Sequence, residues 1–161
     1  MNAPNVPPVL RAYRLAEKFP FGRSLFTRAF QRVAPYFRTI PVRIQSVEPG
    51  IAVVAMADRR SVRNHLGTVH AIALCNLAEL TMGLVVEASL PRSHRWIPKG
   101  MSVQYLAKAR GEMTATGTFD LPDPMPERGE MTVPVAVRNA DGETVFHADI
   151  LLWVTERQPA N

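Results

Sequence analysis

Cysteine is almost missing from this chain of 161 residues: there is one, Cys75. A single thiol closes no internal disulfide, which excludes a small secreted scaffold held by bridges. Cys75 lies in an apolar stretch, where a packed, inert thiol is a simpler reading than a nucleophile. Uninterrupted apolar runs fall short of the ~20 residues of a membrane span. Arg11, Arg14, Glu17 and Lys18 leave no room for a signal-peptide apolar core. A cytoplasmic protein is therefore expected. Internal repeats and low-complexity tracts are missing too. No Cys or further His stands at ligand spacing from His65 and His70, so no metal is expected. His94 and His147 read as strand or loop residues with local partners.

Acid is scarce in one region only. Residues 1–43 hold eight Lys/Arg and a single acid, Glu17, for a net +7, whereas residues 44–161 hold eleven Lys/Arg and thirteen acids, for a net −2. The basic character belongs to the N-terminal segment and not to the main body, which argues against a nucleic-acid-binding domain. Length and composition, 47% hydrophobic and 20% charged, describe one globular domain large enough to bury a sizeable core.

Residues 1–8 are rich in Pro and Asn and read as loose. Residues 9–18 read as a short helix with Arg11, Arg14 and Lys18 on one face, ended by Phe19-Pro20-Phe21-Gly22. Ser24 is a suitable N-cap for a second helix, in which Phe26, Phe30 and Val33 recur at helical spacing while Arg28 and Arg32 lie off that stripe. This basic pair either packs its apolar face on the fold or meets a membrane surface or another anionic partner. Strand patterns follow. Ile40, Val42 and Ile44 alternate with polar neighbours or Pro, Glu48-Pro49-Gly50 turns the chain, and residues 51–57 form the second half of a hairpin. Beyond Pro91 come alternating runs at 101–107 and 113–119, an exposed loop at 120–130, and a strand at 131–137. Pro134 there suggests an edge or a bulge. The hairpin Asn139-Ala140-Asp141-Gly142 leads into a last strand with Phe146, Ala148, Ile150, Leu152 and Val154 on one face.

Between the two sets of strands lies the stretch that the others serve, residues 64–88. From His70 to Val86 nearly every residue is apolar, and no Pro intervenes. A helix apolar all round must be covered all round. Two strands, one such helix and four more strands define an α+β fold in which one antiparallel sheet wraps the helix. The domain reading is a basic helical extension at 1–38, the wrapped domain at 39–157 and a tail at 158–161. Glu79 stands mid-helix, where a charge is costly unless paired or used. Asn76 and Gly83 flank it one turn away on the same face. Gly67 and Thr68 lead into the helix start, where free N–H groups favour negative charge. Amides at a helix start plus a carboxylate suit carbonyl chemistry.

The spacing of Asn64, Gly67, His70 and Glu79, with Gly83 beyond, resembles the Asn/Gln-x-x-Gly-x-x-His-Gly-Gly pattern, and the acid nine residues on, of the hotdog-fold acyl-CoA thioesterases. The phenylacetyl-CoA and 4-hydroxybenzoyl-CoA thioesterase groups are the most similar. Residues 105–111 and the Asn139–Gly142 hairpin extend the likeness over residues 40–155, with the N-terminal helices as an addition. The resemblance implies a hotdog fold and hydrolysis of an acyl-CoA to free acid and CoA. It makes Glu79 the nucleophile or the general base. The Ala71 N–H would polarise the thioester carbonyl, Asn64 would position water or substrate, and His70 would orient the loop. It further implies a site formed across a homodimer, with a tetramer left open. No cofactor is needed, because CoA is part of the substrate.

Each residue also has a plainer role. Glu79 could be satisfied by Asn76, Thr81 or a second subunit, and Asn64 could simply form a turn. Arg59, Arg60 and Arg63 either meet CoA phosphates or remain solvated charges. Substrate contacts are expected at Gly67, Thr68, Ile72, Asn76, Met82 and Gly83, with Met82 beside the acyl group. One departure stands out: the Gly-Gly of the pattern is Ala71-Ile72 here, which keeps the N–H but adds bulk. Binding of an acyl-CoA or acyl carrier without hydrolysis is the alternative. Dehydration is disfavoured by the same resemblance, since neither the His-Phe-Pro loop of the hotdog dehydratases nor the Asp-x-Asn-Pro-x-His stretch of the hydratases occurs.

Overall fold

The structure, a computed structural model, describes residues 6–157. The 158–161 tail and the first five residues of the expected loose segment lie outside them. Two helices come first, α1 (Pro8–Ala16) and α2 (Gly22–Val33), then a 3-10 turn at Pro35–Thr39. The hairpin β1 (Val42–Glu48) and β2 (Ile51–Met56) and a short 3-10 turn at Arg60–Val62 lead to the long helix α3 (Ala71–Ser89). Four strands complete the chain: β3 (His94–Tyr105), β4 (Met113–Thr118), β5 (Arg128–Arg138) and β6 (Thr144–Glu156).

All six strands form one antiparallel sheet in the order β1-β2-β4-β5-β6-β3. The sheet wraps α3, as the apolar pattern requires: Leu77, Leu80, Leu84, Val85 and Val86 are fully buried. Each such side chain contributes about 1.5–3 kcal/mol by leaving water. Gly117 marks a close approach of helix and sheet, since a Cβ there would stand 3.2 Å from the Thr81 methyl. This is the hotdog arrangement. By length and hydropathy α3 is apolar enough to cross a bilayer, which the broken apolar runs of the sequence do not suggest. Two thirds (67%) of that apolar window is buried inside the protein, as befits a core helix.

The N-terminal helices share the core. Leu10, Tyr13 and Phe26 join the hydrophobic cluster of Ile44 and Leu77, and Tyr13 stands edge-on to Phe26 at 5.2 Å. Strand β1 is an edge of the sheet, and α2 covers part of it: the Ile44 N–H donates to Thr27 Oγ1 at 3.1 Å. The Tyr13 hydroxyl donates to the Gln45 carbonyl at 2.9 Å.

Several expectations need correction. Helix α1 opens at Pro8 and ends at Ala16; Pro is well suited to a first helical position. Ser24 is not the cap of α2. That helix starts at Gly22, after Phe21 at φ 62°, because Gly22 packs directly on the last turn of α1. Val33 is 86% exposed and leaves the stripe that Phe26 anchors. Strand β3 begins at His94, well before residue 101, and runs through Pro98 and Gly100 with a register shift between them. Its place at the sheet edge tolerates a proline within the strand. Pro134 lies in an interior strand, yet β4 pairing with β5 stops at Val135. Pro134 is thus where β5 becomes locally an edge, and its missing donor costs no bond to β4.

Candidate active site

The loop before α3 is closed by its own side chains. Asn64 Oδ1 accepts from the Leu66 N–H at 3.0 Å and from the Thr68 N–H at 3.2 Å, and Asn64 Nδ2 donates to Thr68 Oγ1 at 2.9 Å. Gly67 takes φ 73°, a left-handed turn position. Asn64 is thus a turn-former in this chain, and Thr68 is buried beneath it. The Val69 N–H donates to Ala109 O and the His70 N–H to Val62 O, fixing where the helix starts.

His70 is the N-cap of α3, and its Nδ1 accepts from the Ile72 N–H at 3.1 Å. Leu74 and Ala73 donate to the His70 carbonyl. The Ala71 N–H has no partner among the described residues. Capping by His70 therefore occupies the second amide of the helix and leaves the first free. Ile72 is 57% exposed at this mouth.

The flank of α3 along β3 carries Cys75, Glu79, Gly83 and Glu87, at spacings that keep them on one side of the helix. Two contacts tie this flank to the edge strand. Cys75 Sγ and the Tyr105 hydroxyl hydrogen-bond at 3.3 Å, and the Trp96 indole N–H donates to Glu87 Oε1 at 2.8 Å. Gly83 faces the Trp96 ring, where a Cβ would stand 3.7 Å away. Glu79 lies between these contacts, partly exposed. It has no hydrogen bond or ion pair among the described residues, so neither Asn76 nor Thr81 satisfies it. Thr81 Oγ1 donates to the Leu77 carbonyl. Hydrogen bonding to Cys75, with burial behind it, pushes the Tyr105 hydroxyl up to about 12.

Asn76 turns away from Glu79. Its Nδ2 donates to Thr39 Oγ1 at 2.9 Å, and its buried Oδ1 has no partner among the described residues. Asn76 lines a cleft of about 210 Å³ with Tyr36, Thr39, Ser61, Arg63, His70, Ile72 and Ala73. Met82 is wholly buried in the core of the single chain. Arg63 is bound to Asp58 at 2.7 Å. That guanidinium, helped by the Gly111 N–H and opposed by partial burial, holds the Asp58 carboxyl below its usual range. Arg59 and Arg60 are exposed. Arg59 lines a second cleft of about 490 Å³ with Arg38 and Arg43, adjoining the first through Thr39, Ile40 and Ser61. Sequence spacing does not reveal Tyr105, Thr39, Arg38 and Arg43 as neighbours of the helix start. Their positions depend on strand pairing and on how the N-terminal segment folds back.

Fold and site together define a hotdog protein whose central helix, among the described residues, opens on a free amide and carries an unpaired carboxylate midway. Residues 22–154 match the family described as a domain of unknown function, DUF4442, and the chain belongs to that family. The chain is similar to a crystal structure of a genomics target, APC5556, at 38% identity over 92% of this chain and 99% of the other, with a TM-score of 0.79. A protein of unknown function from Pseudomonas aeruginosa, PA5026, named a probable thioesterase, is 21% identical over 89% and 95% of the two chains, with a TM-score of 0.74. A hypothetical thioesterase from Streptococcus pneumoniae TIGR4, solved with coenzyme A, is 22% identical over 73% and 91%, with a TM-score of 0.61. At these lower identities the likeness concerns the fold. No curated protein matches the chain.

Proposed function

We propose that the protein hydrolyses an acyl-CoA thioester to the free acid and CoA, using Ala71 and Glu79 across a homodimer. The observation that carries this reading is an Ala71 N–H without a partner among the described residues, at the start of a buried helix whose Glu79, likewise unpaired among them, opens along the edge strand β3. The Ala71 N–H would donate to the thioester oxygen, where negative charge develops during attack. Ala71 and Glu79 are eight residues apart, roughly 12 Å along the axis, too far to flank one carbonyl. A two-fold pair with antiparallel helices would set the second chain's Glu79 opposite the first chain's Ala71. Strand β3, a twelve-residue free edge with Ile97 and Tyr105 exposed, favours such pairing.

In this scheme Glu79 either takes a proton from the attacking water or attacks the carbonyl carbon itself, forming an anhydride that water then opens. In both, the carbon–sulfur bond breaks and CoA leaves as the thiol after protonation. Asn64 and His70 act through the loop they hold. The acyl group would run along the helix flank by Cys75, since Met82 is enclosed in the core. CoA phosphates would meet the exposed Arg59 and Arg60 more readily than Arg63, which Asp58 already holds.

A panel of acyl-CoA esters tests the reading, with thiol release as the measure. Glu79→Gln keeps size and hydrogen bonding but removes the charge, and should lower the rate by at least ~10²-fold, the lower end for general base catalysis, with folding and acyl-CoA binding retained. Wild-type turnover by Glu79→Gln would defeat the assignment. The exposed bulk of Ile72 favours a second reading, acyl-CoA or acyl-carrier binding without hydrolysis. Binding without turnover in both proteins would establish it.

A further inference from the structure

The inner face of the α1–α2 pair accounts for Leu10, Tyr13, Phe26 and Thr27, which are buried against the core. A surface helix pair needs one apolar face. This pair has apolar groups on the outside as well, gathered at the connection between its helices. Phe19 is 62% exposed, Phe21 89%, Leu15 59% and Leu25 64%. Phe19, Phe21, Leu25 and Arg28 surround a concavity of about 340 Å³.

The connection is held firmly in this outward form. Phe21 has φ 62°, in the left-handed region that a side chain of its size seldom enters. Gly22 follows, and a Cβ there would meet the Ala16 carbonyl oxygen at 1.8 Å. The chain thus accepts backbone strain at a residue whose ring then makes little contact with the fold. Cations surround the tip. Arg14 is paired with Glu48 and Arg23 with Glu17, but Arg11, Lys18 and Arg28 have no ion-pair partner among the described residues. The segment 1–43 carries a net +7 on a chain otherwise at −2.

We propose that this tip docks the protein on an anionic lipid bilayer, with Phe19 and Phe21 entering the headgroup–acyl boundary and Lys18 and Arg28 meeting lipid phosphates. Aromatic and aliphatic side chains at a rigid tip, ringed by cations, match the two components of interfacial binding, apolar burial and attraction to anionic headgroups. A second copy meeting the patch two-fold would bring the same positive charge against it, so charge complementarity favours the lipid surface over self-pairing of the patch.

The test is co-sedimentation of the full chain with phosphatidylcholine vesicles, with and without one-third phosphatidylglycerol. Binding should appear on the anionic vesicles and weaken as salt is raised. The variant Phe21→Gly relieves the left-handed strain and should fold at least as well as the wild type. Combined with Phe19→Ser, it should lower partitioning about tenfold or more. Lys18→Glu with Arg28→Glu should lower it by roughly fivefold or more for each residue. Thermal melts confirm that each variant is folded. Absence of wild-type binding to anionic vesicles, or equal binding by folded Phe19→Ser/Phe21→Gly, would overturn the proposal. So would a fall in molar mass by light scattering in that variant, since it would mean that a second copy covers the patch.

Discussion

Substituting Gly22 by Ala adds one methyl group where the structure has no room for it. The new Cβ would lie 1.8 Å from the Ala16 carbonyl oxygen and 2.7 Å from its carbon. A van der Waals contact needs more than 3 Å, and the obstructing atoms are backbone, so no rotamer change relieves them. The last turn of α1 and the first turn of α2 must separate by over an ångström. That movement pulls on Tyr13 and Phe26, whose rings meet at 5.2 Å beneath the junction. Overpacking of this kind costs about 1–3 kcal/mol and sometimes more, while the better helix propensity of Ala returns at most about 1 kcal/mol. A net loss of about 1–2 kcal/mol lowers the melting temperature of a domain this size by roughly 2–8 °C. Gly100→Ala is the control, since a Cβ there has nothing within 4 Å and its backbone is not left-handed. Circular dichroism melts of the two variants and the wild type decide the matter. If Gly22→Ala melts at or above the wild-type temperature, the α1–α2 contact is not as close as stated, and the rigid-tip argument falls with it.

Two further outcomes follow from particular bonds. His70→Ala removes the acceptor of the Ile72 N–H and should cost about 0.5–2 kcal/mol as a lost N-cap. His70→Asn should restore the melting temperature, and retained hydrolysis in it would make His70 a positioning residue and not an acid or base. Burial, reinforced by the nearby Glu17 carboxylate, pushes the Tyr13 hydroxyl up to about 12. Tyr13 is a weak acid whose folded value lies above its unfolded value near 10. Its stabilisation is therefore complete below pH 10 and is lost as pH rises through 12. Tyr13→Phe should flatten the wild-type decline in stability between pH 10 and 12, measured by urea unfolding. An unchanged slope would mean that Tyr13 does not titrate with unfolding.

The residues whose fate the sequence settles by itself are those with a strong local period or a local bond. The apolar run from His70 to Val86 demands a covered helix, and the sheet together with α1 covers it. Asn139 to Gly142 forms its hairpin because Asn139 Oδ1 accepts the Asp141 and Glu143 amides. Asn64, Gly67 and His70 are near in sequence and near in space, so the loop that precedes α3 is legible from spacing. Strand β3 is only half legible, because Pro98 and Gly100 punctuate it and its edge position explains their tolerance. Val33 follows the helical period of Phe26 yet faces water, since periodicity finds a face without saying how far the core extends beneath it. Asn76 shares a helical side with Glu79 in sequence terms but turns to Thr39, a partner 37 residues away. That Ala71 keeps a free N–H while Ile72 loses its own depends on the His70 ring, and that Glu79 opens along β3 depends on strand order. Local chemistry thus determines which groups are present at the site. Burial, sheet edges and long-range contacts, which no short window of sequence contains, decide which of those groups remain unpaired.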